Sequence, residues 1–287
     1  MAAASNLGDY LRARRERVRP DDVGLPGGDR RRVPGLRREE VALLAGISVE
    51  YYLRLEQGRD QHPSDQVLDS IAGALRLEAD AATYLHELAR PARTARRRPS
   101  RPERVSASVQ SLINNWNTTP ALVQGRYMVT LAANPMAVAL SPFFASGVNS
   151  LRAAFLEPEM RTFYRDWDAM TAKVVAYLRS VIGGDLNDPR LVELIGELSL
   201  HSERFRTLWA GIDVRHKTSG VSLMLHPQVG ALDLRYEKLA LPGAPGQMLV
   251  TYHAEPGSPS HERLQLLAHL AAPSAPARTT PSGTPGP

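Results

Sequence analysis

The stretch 37-RREEVALLAGISVEYYLRLEQGR-59 carries two short helical patterns with almost no room to turn between them. The first half repeats small and apolar residues on one helical face, at Val41, Leu44 and Ala45. The second half begins at Ser48, a good helix N-cap, so only Ala45 and Gly46 are available to turn the chain. Two short helices joined by a glycine-containing turn are typical of a helix-turn-helix. A packed core rarely requires that geometry, and the second helix is therefore predicted to face something outside the protein.

Length and composition bound the class of protein around this stretch. A chain of 287 residues with 43% apolar residues can hold two domains, each with its own core. No apolar run approaches the ~20 residues of a membrane span, and the N-terminus lacks a signal-peptide pattern. The absence of cysteine excludes disulfides, cysteine-zinc sites and thiol catalysis. These features predict a cytoplasmic protein with no membrane partner.

The positive charge is concentrated in the first third of the chain. Residues 1–104 contain 20 Arg and 16 acidic residues, a balance of +4, whereas residues 105–287 contain 15 basic and 14 acidic residues, a balance of +1. Such an excess is expected of a domain that binds a polyphosphate. However, the chain has 3 Lys against 32 Arg, so arginine abundance alone is weak evidence for DNA binding. The positions of the arginines must therefore show whether this domain binds DNA.

Composition and periodicity divide the chain into four segments. Residues 5–90 contain five amphipathic helical patterns and are predicted to form an all-α domain. Residues 91–104 combine three prolines with a run of arginines and are predicted to be a linker, and the Pro, Ser and Thr-rich residues 272–287 a disordered tail. The remaining segment, 105–271, is predicted to be an α+β domain with a mostly antiparallel sheet.

Within this second domain, the patterns predict strands on both sides of a helical section. A hairpin is expected at 121–134, around Gly125 and Arg126, and further strands at 221–241 and 247–255. Helices are expected at 151–156, 161–182 and 190–210, and a last helix at ERLQLLAHLA.

Several motifs together resemble a known family. The segments VPGLRREEVALLAGIS and QVLDSIAGALRL resemble the helix-turn-helix of the XRE (lambda-repressor-like) regulators, and more narrowly the MmyB-like branch. NSLRAAFLEPEMRTFYRDWDAM, DPRLVELIGELSLHSERFRTLWAGIDV and AEPGSPSHERLQLLA agree with that branch, so the resemblance covers about residues 6–268. It implies a lambda-repressor-like DNA-binding domain, followed by a PAS-like domain that binds a small, at least partly lipophilic ligand.

The candidate DNA contacts lie on the second helix and around both helix starts. In this class the N-terminal residues of the second helix enter the major groove, and the preceding helix crosses the backbone. Side chains that could reach base edges or phosphates are Arg37, Arg38, Ser48, Val49, Glu50, Tyr51, Arg54, Arg59 and His62, with a further cluster at Arg30–Arg32.

Less specific roles compete for several of these residues. Arg37 and Arg38 could belong to a solvated helix start, and Arg54 could pair with Glu50 four residues earlier. Tyr51 and Tyr52 cannot both face DNA, and Tyr52 is favoured for the core.

The candidate ligand contacts are aromatic and polar residues of the second domain. They are Asn134, Phe155, Trp167, Phe205, Trp209, His226 and Tyr236. A concentration of large apolar side chains suits a pocket for a small molecule, and it equally suits an ordinary core. His226, in LHPQVG, is more simply interpreted as a hydrogen-bonding residue of a turn.

The sequence therefore favours a transcription regulator over an enzyme. The trio 201-HSE-203 cannot form a triad on one helix, and no metal-site, phosphate-loop or catalytic motif stands out, so no cofactor is predicted. The predicted partners are operator DNA, a small fatty-acid-like ligand and a second copy of the chain. Two alternatives stay open: the second domain could bind a partner protein instead of a small molecule, or the chain could bind DNA with little sequence preference.

Overall fold

The structure is a computed structural model, and it describes residues 6–26, 33–60, 62–89, 103–182, 188–211 and 218–271. The predicted Arg30–Arg32 cluster, residues 91–102 of the predicted linker and the tail 272–287 lie outside the described residues. In the part of the chain that is described, no helix is both long enough and apolar enough to cross a membrane.

The N-terminal region folds as the sequence predicts, with helices α1 (Asn6–Arg15), α2 (Arg38–Ala45), α3 (Val49–Glu56), α4 (Asp65–Ala74) and α5 (Ala79–Ala89). Between α2 and α3 the chain turns at Gly46, whose φ of +65° is a left-handed conformation that glycine adopts at little cost. Ser48 then caps α3, because its hydroxyl accepts a hydrogen bond from the amide of Tyr51 at 3.1 Å. The helix-turn-helix is therefore confirmed.

The core of this region shows which of the predicted residues are buried. Tyr52 is fully buried, which confirms its predicted place in the core. Val41 and Ala45 are also buried, but Leu44, which was expected on the same face, is 37% exposed. The buried stripe of α2 is thus narrower than the apolar pattern indicates.

A buried carboxylate fixes α3 against the two preceding helices. Glu56, in the last turn of α3, has a fully buried side chain. Its carboxylate accepts hydrogen bonds from Arg15 of α1 at 3.0 Å and from Arg38 of α2 at 3.1 Å, and Arg12 lies 3.4 Å away. Burial opposes the charge of Glu56, but the hydrogen bonds from Arg15 and Arg38 outweigh this and lower its pKa.

The C-terminal region is built on a five-stranded antiparallel sheet. Its strands are β1 (Ala121–Gln124), β2 (Thr130–Ala133), β3 (Ser219–His226), β4 (Gly230–Ala240) and β5 (Met248–His253), in the order β2-β1-β5-β4-β3. The predicted hairpin at Gly125 and the two later strand segments are confirmed. Tyr236 pairs with Tyr252 across β4 and β5, which places both rings on the same face of the sheet.

Helices cover both faces of this sheet. They are α6 (Ala107–Asn114), α7 (Pro135–Leu140), α8 (Ser150–Leu156), α9 (Glu159–Phe163), α10 (Trp167–Ile182), α11 (Pro189–His201), α12 (Glu203–Ala210) and α13 (Pro259–Ala271). Ile113 of α6 packs on one face with Val123 and Leu249, and α7, α9 and α13 pack on the other. The cavity described below lies on this second side, between the sheet and α8–α10.

Two of the predicted helices are interrupted. The segment predicted as one helix at 161–182 breaks after Phe163, because Tyr164 forms a bridge with Met224 and the amide of Arg165 donates to the carbonyl of Leu223 at 2.9 Å. The segment 190–210 breaks at Ser202, whose extended backbone starts α12 and whose hydroxyl caps it. The 201-HSE-203 trio therefore spans a helix break, and the expectation that it lies on one helix is wrong.

The Glu56 cluster leads to a prediction on stability. Glu56→Gln leaves the buried Arg15 with only the exposed Glu16, 3.8 Å away, as a charged partner, so we expect the free energy of unfolding to fall by about 3–5 kcal/mol. All three Trp (116, 167 and 209) lie in the C-terminal region. In a urea titration of the variant, the N-terminal helices should therefore unfold at a lower urea concentration than in wild type, as measured by circular dichroism. The midpoint measured by tryptophan fluorescence should stay the same.

Glu50→Gln is the matched control, because Glu50 is 82% exposed and its pair with Arg54, at 3.7 Å, is worth about 0.5 kcal/mol or less. The lowered pKa of Glu56 also determines how the stability of the N-terminal domain depends on pH. Its stabilisation is complete above the ordinary pKa of a glutamate and is lost as the pH falls through the lowered value. Equal midpoints for the two variants would contradict the role assigned to the cluster.

Candidate functional site

The N-terminal end of α3 is presented to solvent. Ser48, Val49 and Glu50 are exposed, and Tyr51 is partly so, whereas the other side of the helix is held in the core by Tyr52 and Leu55. Val49 is 47% exposed, which leaves its methyl groups available for contact with a thymine methyl group. The structure therefore brings four of the predicted DNA contacts together on one end of one helix.

Arg54 projects from the same surface and is held by two neighbours. Its guanidinium lies 3.7 Å from the carboxylate of Glu50 and 5.4 Å from the ring centroid of Tyr51. Both interactions are exposed and are worth a few tenths of a kcal/mol to about 1 kcal/mol, so a base or phosphate can replace them. The ion pair weighed at the sequence level is thus present, and it leaves Arg54 available.

The remaining predicted DNA contacts differ in how strongly they are bound by other side chains of the protein. Arg37 starts α2, where its amide donates to Glu40 at 2.7 Å and its guanidinium lies 3.5 Å from Glu39. Arg38 is bound to Glu56, so it fixes α3 with at least part of its guanidinium. Arg59 and His62 are exposed beyond the end of α3.

The C-terminal region encloses an apolar cavity of about 260 Å³. It lies between the sheet and helices α8–α10, and its apolar lining includes Leu122, Met128, Phe144, Met160, Met170, Val174 and Val250. Four tyrosines also line it: Tyr164, Tyr177, Tyr236 and Tyr252. Burial raises the pKa of each of these phenols, so they stay neutral and can donate hydrogen bonds inside a mostly apolar space.

One ammonium group faces this cavity. The Nζ of Lys238, on β4, lies 3.4 Å from the ring centroid of Tyr177 and 6.0 Å from that of Tyr236. Within the described ranges, no carboxylate forms an ion pair with it. Burial lowers the pKa of Lys238 to about 8. The π faces of two rings compensate only part of the lost hydration, so an anion that entered the cavity would find an unneutralised cation.

Two further charged residues mark the mouth of the cavity. Lys173 of α10 and Asp166, which precedes α10, contribute to the lining and are both exposed. Two of the three lysines of the chain, Lys173 and Lys238, therefore belong to this one site, although arginine is the usual basic residue elsewhere.

Only Tyr236 of the predicted ligand contacts lines the cavity. The amide of Asn134 is buried and used fully: its Nδ2 donates to the carbonyls of Ile113, Trp116 and Thr119, and its Oδ1 accepts from Ala121 and Ala137. Asn134 therefore ties α6 to the sheet and caps α7.

His226 is also engaged by the backbone. Its Nε2 lies 3.0 Å from the carbonyl of Ala139, and its Nδ1 accepts from the amides of Gln228 and Val229. This is the turn-stabilising arrangement that the sequence analysis favoured.

The four other predicted aromatics pack against one another beside the cavity. The ring of Phe155 lies edge-on to those of Phe205 and Trp167, with centroids 5.2 Å and 6.4 Å apart. The ring of Phe205 stacks on that of Trp209, with centroids 5.7 Å apart. The indole N–H of Trp167 donates to the carbonyl of Ala154 at 2.9 Å. These rings form a core that supports α8, α10 and α12 and contribute nothing to the cavity wall.

Comparison with known families agrees with both halves of the structure. Residues 6–85 match a helix-turn-helix domain model, and residues 105–267 match the model of the MmyB-like transcription regulator ligand binding domain. The second match covers more than half of the chain. The chain belongs to the MmyB-like transcription regulators. No curated protein matches it.

Sequence reasoning missed the lysine of this MmyB-like regulator, although a signal was present. In 232-LDLRYEK-238, alternate residues point to the same side of β4, so Leu232, Leu234 and Tyr236 continue directly to Lys238. A lysine that continues the apolar face of a strand indicates a buried ammonium. The cavity residues of α10 carried no comparable signal, because their spacing is that of any buried helix.

The buried ammonium gives a prediction on pH dependence. Lys238→Met removes the charge but keeps an apolar side chain of similar length, so we expect the variant to be more stable than wild type at pH 7. Because burial lowers the pKa from 10.5 to about 8, the native state disfavours the protonated form. The stability difference should therefore be constant below pH 8 and shrink as the pH rises from about 8 to 10.5.

Urea titrations followed by tryptophan fluorescence measure this difference in the C-terminal domain. Lys173→Met, at the exposed mouth of the same cavity, is the matched control and should change the stability only slightly. A pH-independent gain for Lys238→Met would mean that the lysine is hydrated in the native state.

Proposed function

We propose that this chain is a sequence-specific regulator of transcription whose DNA affinity is controlled by a small lipophilic ligand in its C-terminal domain. The observation that carries this proposal is the apolar cavity of about 260 Å³ between the sheet and α8–α10. A concave, mostly apolar space with some convergent polar groups is the usual form of a small-molecule site. A five-stranded antiparallel sheet covered by helices also supports the PAS-like assignment of this domain.

The chemistry of the wall narrows the ligand to an amphiphilic acid. Methionine, leucine and valine side chains accept a hydrocarbon chain and adapt to its shape. The ammonium of Lys238 supplies one cation, and neighbouring tyrosines supply hydroxyl donors for the oxygens of an acid group. A fatty-acid-like molecule, with one carboxylate and one apolar chain, satisfies both parts of the cavity.

On the DNA side, α3 is proposed as the recognition helix. Val49, Glu50, Tyr51 and Arg54 are proposed to reach base edges, while Arg37, Ser48, Arg59 and His62 contact phosphates. Arg38 is proposed to act mainly by holding α3 through Glu56. The regulator is proposed to bind as a homodimer, with half-sites about 34 Å apart or a multiple of this distance.

Decanoate is a suitable probe of ligand control, and DNA duplexes selected by the full chain from a random library supply the binding site. We expect decanoate to change the dissociation constant of the selected duplex, measured by fluorescence anisotropy at fixed salt, by about fivefold or more. It should leave random DNA unaffected. Decanol, which lacks the carboxylate, should act much more weakly on wild type.

Lys238→Met should reverse this preference, because it removes the cation and enlarges the apolar wall. The effect of decanoate should fall about tenfold or more in the variant, while decanol binds at least as well as before. If decanoate binds with high affinity but changes no DNA affinity, the control by ligand is wrong. If neither molecule binds, the C-terminal domain becomes a candidate for protein recognition.

Arg54→Ala tests sequence-specific recognition. We expect the variant to lose discrimination at one base position, at a cost of about 1–3 kcal/mol for the preferred base, when single base pairs of the selected duplex are varied. Arg59→Ala is the control, since loss of a phosphate contact should weaken all duplexes alike. A uniform loss for Arg54→Ala would contradict base recognition, and selected duplexes with a single half-site would contradict the dimer.

A further inference from the structure

Arg179 lies at a junction between the pocket domain and the DNA-binding domain. It belongs to α10, it is only 6% exposed, and its guanidinium lies 4.0 Å from the ring centroid of Trp209. The same group donates a hydrogen bond to the carbonyl of Trp209 at the end of α12. It also lies beside the hydroxyl of Tyr84, which belongs to α5 of the DNA-binding domain, within reach of a hydrogen bond.

Helix α10 therefore has two functional sides. Met170, Val174 and Tyr177 face the cavity, and Lys173 stands at its mouth. Arg179 follows Tyr177 by two residues, which corresponds to a rotation of about 200° around the helix axis. A helix with one side on the cavity and the other on the DNA-binding domain moves as one body, so a displacement at Tyr177 also displaces Arg179.

Tyr84, which Arg179 meets on α5, is a core residue of the DNA-binding domain. Tyr84 is 3% exposed and packs edge-on against Tyr10 of α1, with ring centroids 5.2 Å apart. The helix that carries Tyr10 also carries Arg12 and Arg15, which hold Glu56 of α3. A continuous set of buried contacts thus leads from α10, through α5 and α1, to the proposed recognition helix.

A second contact lies close to the first. Nη2 of Arg17, just beyond α1, occupies the space where a side chain at Gly211 would begin, 2.7 Å from that position. Gly211 follows α12, the helix that Arg179 joins to α10. Arg14 of α1 adds a like charge near Arg179. Two neighbouring contacts define the position of the DNA-binding domain better than a single one.

We infer that Arg179 is a positioning residue, which fixes the DNA-binding domain on α10 and thereby transmits the state of the cavity to the recognition helix. Docking by Arg179 stands on the geometry of the junction, and transmission rests on the proposed control by a ligand. A ligand that moves α10 changes the position from which α3 meets DNA. Without the Arg179 contact, the cavity can still fill, but the DNA-binding domain no longer follows it.

Docking can be tested without ligand or DNA. The chain has no cysteine, so Gln66→Cys on α4 and Glu193→Cys on α11, both exposed, allow a pair of spin labels to report the distance between the domains. Pulsed electron paramagnetic resonance should give a narrow distance distribution in this background and a broad one after Arg179→Leu or Tyr84→Phe. Tyr84→Phe removes one hydroxyl only, so it tests the contact even if Arg179→Leu folds poorly.

Arg204→Leu is the matched control for these variants. Arg204 also joins α12 to α10, by donating to the carbonyl of Asp168 at 2.8 Å, but it has no contact with Tyr84. It should keep the narrow distribution. A narrow distribution in Tyr84→Phe and Arg179→Leu, or equal broadening in Arg204→Leu, would overturn the docking role.

Transmission is tested with decanoate and the selected duplex. In Tyr84→Phe and Arg179→Leu, the decanoate dissociation constant should stay within about twofold of wild type, while the fivefold or larger effect of decanoate on DNA affinity disappears. A persistent effect in both variants would overturn the inference. If wild type binds decanoate without any change in DNA affinity, control by the ligand fails, and the spin-label distances still decide whether Arg179 docks the two domains.

Discussion

The carboxylate of Glu56 is the interaction on which the DNA-binding half of this molecule depends. A buried carboxylate without partners would cost several kcal/mol, so the helices that carry its arginine partners must keep their positions. Arg15 comes from α1 and Arg38 from α2, and both donate to the carboxylate at the end of α3. The geometry of three helices is therefore set by one charge, and the exposed end of α3 is the end farthest from that charge.

This constraint explains why an arginine at a helix start need not be a DNA contact. Arg37 and Arg38 are adjacent and look alike in the sequence, yet Arg37 stays on the surface while Arg38 reaches Glu56. Helical spacing puts Glu56 four residues after Tyr52, on the buried side of α3, but the sequence contains no sign of which arginines contact it. Partner choice is a tertiary property, because it depends on how α1 crosses α2 and α3.

In the second domain, too, the features set by local sequence could be predicted, and those set by tertiary contacts could not. Strands β1–β5 follow from alternation and turn residues, and these are local signals. The breaks at Tyr164 and Ser202 were missed because the apolar period continues across them, and the break at Tyr164 is caused by pairing with β3, about sixty residues later.

The predicted ligand contacts and the cavity wall differ in residue type. Phe155, Trp167, Phe205 and Trp209 were predicted as ligand contacts, but they pack against one another in the core beside the cavity. The wall contains instead four tyrosines, several methionine, leucine and valine side chains, Phe144 and two lysines. Of the predicted contacts, Tyr236 alone combines an apolar ring with a polar tip on the correct face of a strand.

A cavity in one domain controls another domain only if some element touches both and is too stiff to absorb the change. Helix α10 meets this requirement, since it spans Trp167–Ile182, carries cavity residues in its first turns and Arg179 near its end. An α-helix resists bending over this length, whereas a strand edge or a loop would dissipate the same displacement. The buried guanidinium adds directionality, because its hydrogen bond to the carbonyl of Trp209 and its position beside Tyr84 require fixed positions on both sides. With Arg179 docking the DNA-binding domain on α10, as inferred above, Glu56 fixes α3, the proposed recognition helix, within that domain.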